Sequence, residues 1–241
     1  MGTTTTIAKV KIDTYAIAAY TPEMLTDLVA ENLEGDTLSL FDLPRAKIPA
    51  GGGLRWSVPS ISGGDDADPT EVQGVIIHKA LVRSYWEGDI DTTGGGASPD
   101  CESEDSRVGV GTPGGACAEC SKARFGSRGA GQACKQLMRV FLLEKESLLP
   151  MMIHLPPTSI KAMRGYLTGL LAQGRYYRRV VTSLALEKAT NKAGIAYARV
   201  AATMVGALDD DAAGIVQSYA DAIRPALSQR PVSGTEYATS E

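Results

Sequence analysis

The sequence predicts a mainly β chain of the α+β class, and three observations carry that prediction. β-branched and aromatic runs dominate the middle of the chain, with "VQGVIIHKALVRSYW" at 72–86 the first of them. Helical periodicity is confined to a few short stretches. The runs also follow a fixed order: strand, insertion, two strands, helix, two strands. A single helix between the third and fourth strands is the arrangement of a five-stranded OB barrel, a fold that commonly binds nucleic acid or oligosaccharide.

Taken in order, residues 7–20 alternate loosely and read as a strand. "TPEMLTDLVAENLEG" reads as a helix with Thr21 as N-cap, Pro22 at the first position and Met24, Leu25, Leu28 and Val29 as its apolar stripe; Gly35 stops it. These residues form an N-terminal segment, 1–37. The OB-like domain is expected over 38–206, opening on "FDLPRAKIPAGGGLRWSVPS", where a triple glycine precedes Trp56, and on the acidic loop "GGDDADP". After the run at 72–86 comes a cysteine-bearing insertion, 99–136. "MRVFLLEK" and "LLPMMIHLP" then supply two strands. "PPTSIKAMRGYLTGLLAQG" supplies the helix, capped by Thr158 or Ser159, with Ile160, Met163, Leu167, Leu170 and Leu171 on one face and Gly174 ending it. "YYRRVVTSLALEKA" and "GIAYARVAATMVGAL" form a hairpin about "TNKAG". In the C-terminal segment, 207–241, "DDD" at 209–211 suits an N-cap and the helix dipole, and 211–224 reads as an amphipathic helix on Ile215, Val216, Tyr219 and Ile223, followed by a polar tail.

At 241 residues the chain is long enough for a sizeable core, and its 44% apolar and 22% charged content is that of a soluble globular protein. It contains no apolar stretch of about 20 residues, the length a membrane span needs, and "MGTTTTIAKVKIDTY" lacks the pattern of a secretory signal. A cytoplasmic protein without membrane contact is the expectation, and a reducing compartment argues against structural disulfides. The net charge of −4 is unevenly spread: residues 121–192 hold thirteen Lys plus Arg against three Glu, so that segment carries +10 and the rest −14. Such a segment suits an anionic polymer.

All four cysteines fall in the insertion, spaced C-x(15)-C-x(2)-C-x(13)-C at Cys101, Cys117, Cys120 and Cys134. A C-x-x-C turn brings two sulfurs to one side, and two outlying cysteines complete a tetrahedron for which zinc is the usual occupant. Gly111, Gly114, Gly115, Gly126, Gly129 and Gly131 permit the turns. So polar a loop buries too little apolar surface to order itself, which a metal staple would remedy. An iron–sulfur cluster also takes four cysteines; a redox pair would leave two of them unexplained. His78 and His154 lie in apolar runs and are not needed as ligands.

No nucleophile–histidine–acid set or phosphate-binding loop is apparent, and a four-cysteine zinc keeps no open position for catalysis, so a binding protein is expected rather than an enzyme. Single-strand binders combine a cationic groove with aromatic platforms. Such residues interleave here: Arg83 with Tyr85 and Trp86; Lys122, Arg124, Phe125 and Arg128; Lys135, Arg139 and Phe141; Lys161 and Arg164; and the run Arg175, Tyr176, Tyr177, Arg178, Arg179. Trp56 is a further aromatic candidate. Tyr85 and Trp86 are strand neighbours, so one faces the core and the other the groove.

The segments "FDLPRAKIPAGGGLRW", "GVIIHKALVRSYW", "PDCESED", "CAEC", "FGSRGAGQACK" and "LPPTSIK" resemble a family of single-stranded DNA-binding proteins of phages and mobile elements. That family joins an OB fold to a four-cysteine zinc-binding insertion, and the resemblance spans about residues 38–206. It implies a structural zinc on the four cysteines, single-stranded DNA as partner, replication or recombination proteins as further partners, and the bacterial host cytoplasm as location. The mildly acidic end "TEYATSE" departs from the strongly acidic tails common among phage single-strand binders. Two other functions fit parts of the pattern: an iron–sulfur or metal-dependent nuclease, and a zinc-stabilised adaptor or virion protein.

Overall fold

The structure, a computed structural model, describes residues 9–10, 22–34, 38–40, 42–49, 52–60, 64–88, 99–129, 131–145, 147–191 and 194–228. In chain order its elements are β1 (Lys9–Val10), α1 (Pro22–Asn32), β2 (Arg45–Ala46), β3 (Glu71–Tyr85), β4 (Cys101–Ser103), β5 (Val108–Gly111), β6 (Gly115–Ala116), β7 (Lys135–Glu144), β8 (Met151–Leu155), α2 (Pro157–Ala172), β9 (Val180–Thr190), β10 (Ala196–Leu208) and α3 (Asp210–Leu227). This is a mainly β chain of the α+β class, with a mixed sheet and three helices among the described residues.

Strand β3 is the axis of the sheet. Its aliphatic first half pairs with β9, from Glu71↔Ala185 to Val75↔Val181, while its other edge pairs with β7 from Gly74↔Glu144 to Ser84↔Lys135. β8 continues outward from β7, and β10 from β9. The five long strands thus run β8-β7-β3-β9-β10, antiparallel throughout, with β2 added in parallel to β8 and β1 in parallel to β10. A bulge between Ile76 and His78 bends β3, and beyond it the strand continues past the start of β9 as a ribbon with β7. The edge that β9 leaves free is taken by β4 at Tyr85↔Cys101, and the insertion grows from there as β4, β5 and β6.

Among the described residues no ladder joins β8 to β10, so the sheet is open. Other contacts span the gap. Gly52 lies so near β10 that a Cβ on it would sit 3.4 Å from the Tyr197 nitrogen. From α2, the buried Ser159 hydroxyl accepts the Val200 N–H of β10 at 3.0 Å.

Two cores result, one on each face of the sheet. Inside the curl, Trp56, Ile76, Val140, Leu142, Ile153, Leu184 and Val200 pack with Met163 of α2. On the outer face, Val75, Ile77, Phe141, Leu143 and Val181 pack beneath α3 through Val216, Tyr219 and Ile223, with Leu25 and Val29 of α1 alongside. The sheet is therefore the middle layer of three.

Several local expectations are met and others corrected. Asp209 caps α3, its carboxylate accepting the Ala212 N–H at 2.8 Å. Gly174, with φ of +66°, follows the end of α2 in the left-handed region that glycine adopts without strain. Neither Thr158 nor Ser159 caps α2; Pro156 holds that position, and Ser159 serves β10 instead. Leu171 is not on the buried face but 75% exposed. α1 begins at Pro22 as expected, whereas Thr21, Gly35 and most of the strand expected over 7–20 lie outside the described residues. Among the described residues no helix is long and apolar enough to cross a membrane.

Candidate metal centre and nucleic-acid interface

The insertion is folded by turns around one small buried cluster, Cys101, Ala133 and Cys134 against Tyr85 of β3. Asp105 Oδ1 accepts the N–H groups of Arg107 and Val108 at 2.8 and 3.1 Å and the Ser103 hydroxyl at 3.0 Å, which fixes the β4–β5 turn. The two backbone bonds hold the Asp105 carboxyl below its usual range. Gly111, with φ of +104°, passes so near Asp100 that a Cβ would meet its carbonyl oxygen at 2.1 Å. The Cys117 N–H donates to the Arg107 carbonyl at 2.8 Å, and the Cys134 N–H to the Lys122 carbonyl at 2.8 Å. Ser127 Oγ accepts the Ala133 N–H at 2.9 Å and lies 2.7 Å from the Arg124 carbonyl oxygen.

These turns bring Cys101, Cys117, Cys120 and Cys134 to the wall of one small cavity of about 10 Å³, shared with Arg83, Glu102 and Ser103. That volume is about one water or one ion. The cysteines are free thiols. Burial pushes the Cys101 thiol up, opposed by a hydrogen bond from the Gly114 backbone; burial likewise pushes Cys134 up, opposed by the charge and hydrogen bond of Arg83. Among the described residues, no three His, Cys, Asp or Glu side chains are gathered closely enough to hold a metal ion as they stand. The four cysteines thus share the wall of one cavity without their side chains being gathered into a metal-binding cluster.

The residues expected to contact DNA divide sharply. Trp56 and Phe141 are fully buried, so neither offers a face to a base. Trp56 donates its indole N–H to the Leu184 carbonyl at 3.0 Å inside the curl, and Phe141 stacks on His78. Tyr85 is the inward member of its pair, buried under the insertion with Lys122 5.1 Å above its ring; Trp86 is half-buried. Arg83 turns into the cysteine cavity. Arg139 pairs with Glu104 and donates from Nε to His154 Nε2 at 3.0 Å. Arg128 donates to the carbonyls of Trp86 and Glu87. Arg178 donates to the Ile77 carbonyl at 2.8 Å and lies 3.7 Å from Asp221, and Arg179 pairs with Asp210 at 3.0 Å. Arg128, Arg139, Arg178 and Arg179 thus each meet a carbonyl, carboxylate or imidazole of the fold, whereas Arg83 Nε and Nη1 are buried without a hydrogen-bond partner among the described residues.

The others remain at the surface. Phe125 is 82% exposed beside Arg124, at the tip of the insertion, and Tyr176 is 73% exposed. Lys135, Lys161 and Arg164 are exposed, and Arg175 is half-buried. Tyr177 is half-buried between two cations, Lys79 at 5.3 Å and Arg178 at 5.6 Å from its ring centre.

Lys79 was not among the residues the sequence singled out. It lies with Leu81, Met138, Arg164, Leu167 and Leu171 along a groove between α2 and the β3–β7 ribbon. Burial lowers the Lys79 pKa first, and the charges of Arg164 and Arg178 lower it further. Among the described residues no carboxylate is paired with Lys79 or Arg164. Strand alternation puts residues 79, 81, 83 and 85 on one face of β3, so this face runs about 20 Å from Lys79 to Tyr85 and Lys122. Period-two spacing through "HKALVRSY" is the signal from which Lys79 was recoverable.

No family model matches the chain, and neither a curated protein nor a solved structure matches it.

Proposed function

We propose that this chain is a sequence-tolerant single-stranded DNA-binding protein of replication or recombination, built on an OB-like sheet whose insertion is held by a structural zinc ion. The observation that carries the reading is the cationic strip on one face of β3. Lys79 and Arg164, paired with no carboxylate among the described residues, line the groove at one end; Lys122 stands over the Tyr85 ring at the other, followed in sequence by Arg124 and the exposed Phe125. Cations that repel one another are relieved by an anion, and phosphates spaced along a strand supply anions in a row. Phe125 and Tyr176 offer the faces on which bases stack.

The strand order supports the same reading. With β3 taken as first strand, β8-β7-β3-β9-β10 is the order 3-2-1-4-5, that of an OB barrel opened between its third and fifth strands, with α2 between the third and fourth. OB barrels are often partly open and bind through the loops after the first and fourth strands. The insertion stands in the first of those loops. For the metal, four cysteines around one ion-sized cavity match the donor set of structural zinc, with sulfurs at about 2.3 Å from the ion once they draw inward.

Fluorescence anisotropy with labelled oligo-dT and a duplex of equal length tests the function. Preference for oligo-dT with steep loss on added salt is expected; equal affinity for the two refutes the proposal.

A further inference from the structure

Arg83 takes no part in the cationic strip, although it lies on the same strand face. It faces the cavity that all four cysteines line. Its Nε and Nη1 are shielded from solvent and have no hydrogen-bond partner among the described residues. Buried charged donors without acceptors are costly, so a fold that keeps one against four thiols needs a reason. Cys134 is the cysteine nearest in effect: the Arg83 charge opposes the rise that burial gives its thiol. Glu102, also on the cavity wall, adds negative charge rather than offsetting it.

We infer that Arg83 is a positioning residue for a thiolate–metal complex: its guanidinium is the counter-charge that the complex requires and its remaining N–H groups are donors to the ligand sulfurs. The inference rests on reading the cavity as a divalent-metal site. When such an ion binds, each thiol releases its proton to solvent, and four thiolates around a divalent cation carry a net charge of −2. Arg83 halves that charge and satisfies sulfur lone pairs, as does the Gly114 N–H at Cys101. A pair of disulfides is neutral and would leave the guanidinium unpartnered, so the arginine favours a metal centre over oxidation.

The test titrates the full-length chain with Co²⁺ in competition with a chromophoric chelator, for wild type, Arg83→Gln and Arg83→Lys. Outer-shell partners of metal ligands typically change metal affinity by about 10- to 100-fold, and that loss is expected for Arg83→Gln. Its sulfur-to-cobalt charge-transfer band should also move to longer wavelength, because sulfurs that lose N–H donors give up electrons more easily; a merely structural role would not move that band. Arg83→Lys keeps the charge but not the fork, and should fall between, with a shifted band. If Arg83→Gln does not fold, Arg83→Lys decides. Wild-type affinity and an unshifted band in the folded variants overturn the inference and leave the metal reading standing. Failure of the wild-type chain to take cobalt removes both.

Discussion

Replacing Lys79 and Arg164 together by Gln tests the cationic strip most directly. Among the described residues neither has a carboxylate partner, so their removal breaks no ion pair there, and Lys79 is held below its usual pKa first by burial and then by Arg164. The double variant should therefore melt close to wild type, with the lost Lys79–Tyr177 contact set against relieved repulsion. DNA binding should suffer. Each phosphate neutralised on a single strand contributes about 0.7 to the slope of log affinity against log salt, so losing two contacts lowers the slope by about 1.4. At about 0.15 M salt the same term amounts to roughly a 15-fold loss of affinity. The assay is anisotropy with oligo-dT at four or five salt concentrations. Arg199→Gln is the control for net charge, because Arg199 pairs with Glu187 at 3.2 Å on the exposed β9–β10 hairpin. A double variant whose slope matches wild type, or falls no further than the control, refutes the strip as the path of the strand.

Phe125→Ala and Trp56→Ala should part company. The exposed Phe125 should cost binding by about 1–3 kcal/mol, the range for a base-stacking aromatic, with an unchanged melting temperature; the buried Trp56 should cost about 3–5 kcal/mol of stability. Cys117→Ser should lower zinc content by elemental analysis, loosen the insertion as read by hydrogen exchange, and weaken oligo-dT binding as a consequence; unchanged zinc and unchanged binding would reject the centre. Stability should also fall in acid. His78 is held at about 4 by burial and then by Arg224, Arg178, Lys79 and Arg139, and His154 at about 4 by burial, Arg139 and Arg45, against about 6.5 when unfolded. The folded values are the lower ones, so the unfolded chain takes up the extra protons. The histidine contribution is then complete above about pH 6.5 and lost as pH falls towards 4, with His78 alone accounting for up to about 3 kcal/mol. Glu144, raised by burial, acts in the opposite direction. Urea midpoints from pH 7 to 4.5 should drop for wild type and drop less for His78→Asn.

The strands were legible because their signal is local. Apolar runs of 10 to 15 residues, β-branched in β3, β9 and β10 and Leu-, Met- and Phe-rich in β7, mark these strands whatever their partners. What sequence did not reveal was which side of a strand faces what. Phe141 and Arg139 sit two residues apart on β7 and share a face, yet one lies under α3 and the other meets Glu104 from the insertion. Each fate depends on a distant segment folding over that face. Trp56 was misread for the same reason: an aromatic among glycines and a proline carries no period, and only the Leu184 carbonyl, 128 residues later, accounts for its burial. The capping of α2 failed differently. Thr158 and Ser159 have the right chemistry, but Pro156 cannot continue a helix backwards and holds the N-cap position, which frees Ser159 for the Val200 N–H.

The cysteine cavity and the cationic strip share a strand, and that makes them one device. Arg83 lies between Lys79 and Tyr85 on the same face of β3 but lines the cysteine cavity, so the strip's cation at that end must come from the insertion itself. Lys122 supplies it from a turn two residues after Cys120, resting on the ring of Tyr85. The position of Lys122, Arg124 and Phe125 therefore depends on how firmly the insertion is held. Its anchors are few: the β4 pairing at Tyr85, Arg139 with Glu104, and Arg128 on the carbonyls of Trp86 and Glu87. Each fastens an edge, and the centre is held by turn hydrogen bonds and by one small buried cluster of Tyr85, Cys101, Ala133 and Cys134, so ordering so glycine-rich a loop is costly in conformational entropy. Drawing four sulfurs onto one ion would remove that entropy before DNA arrives, leaving less ordering to be done on binding. On the proposed reading, a centre with no open coordination position would contribute to affinity without touching the strand.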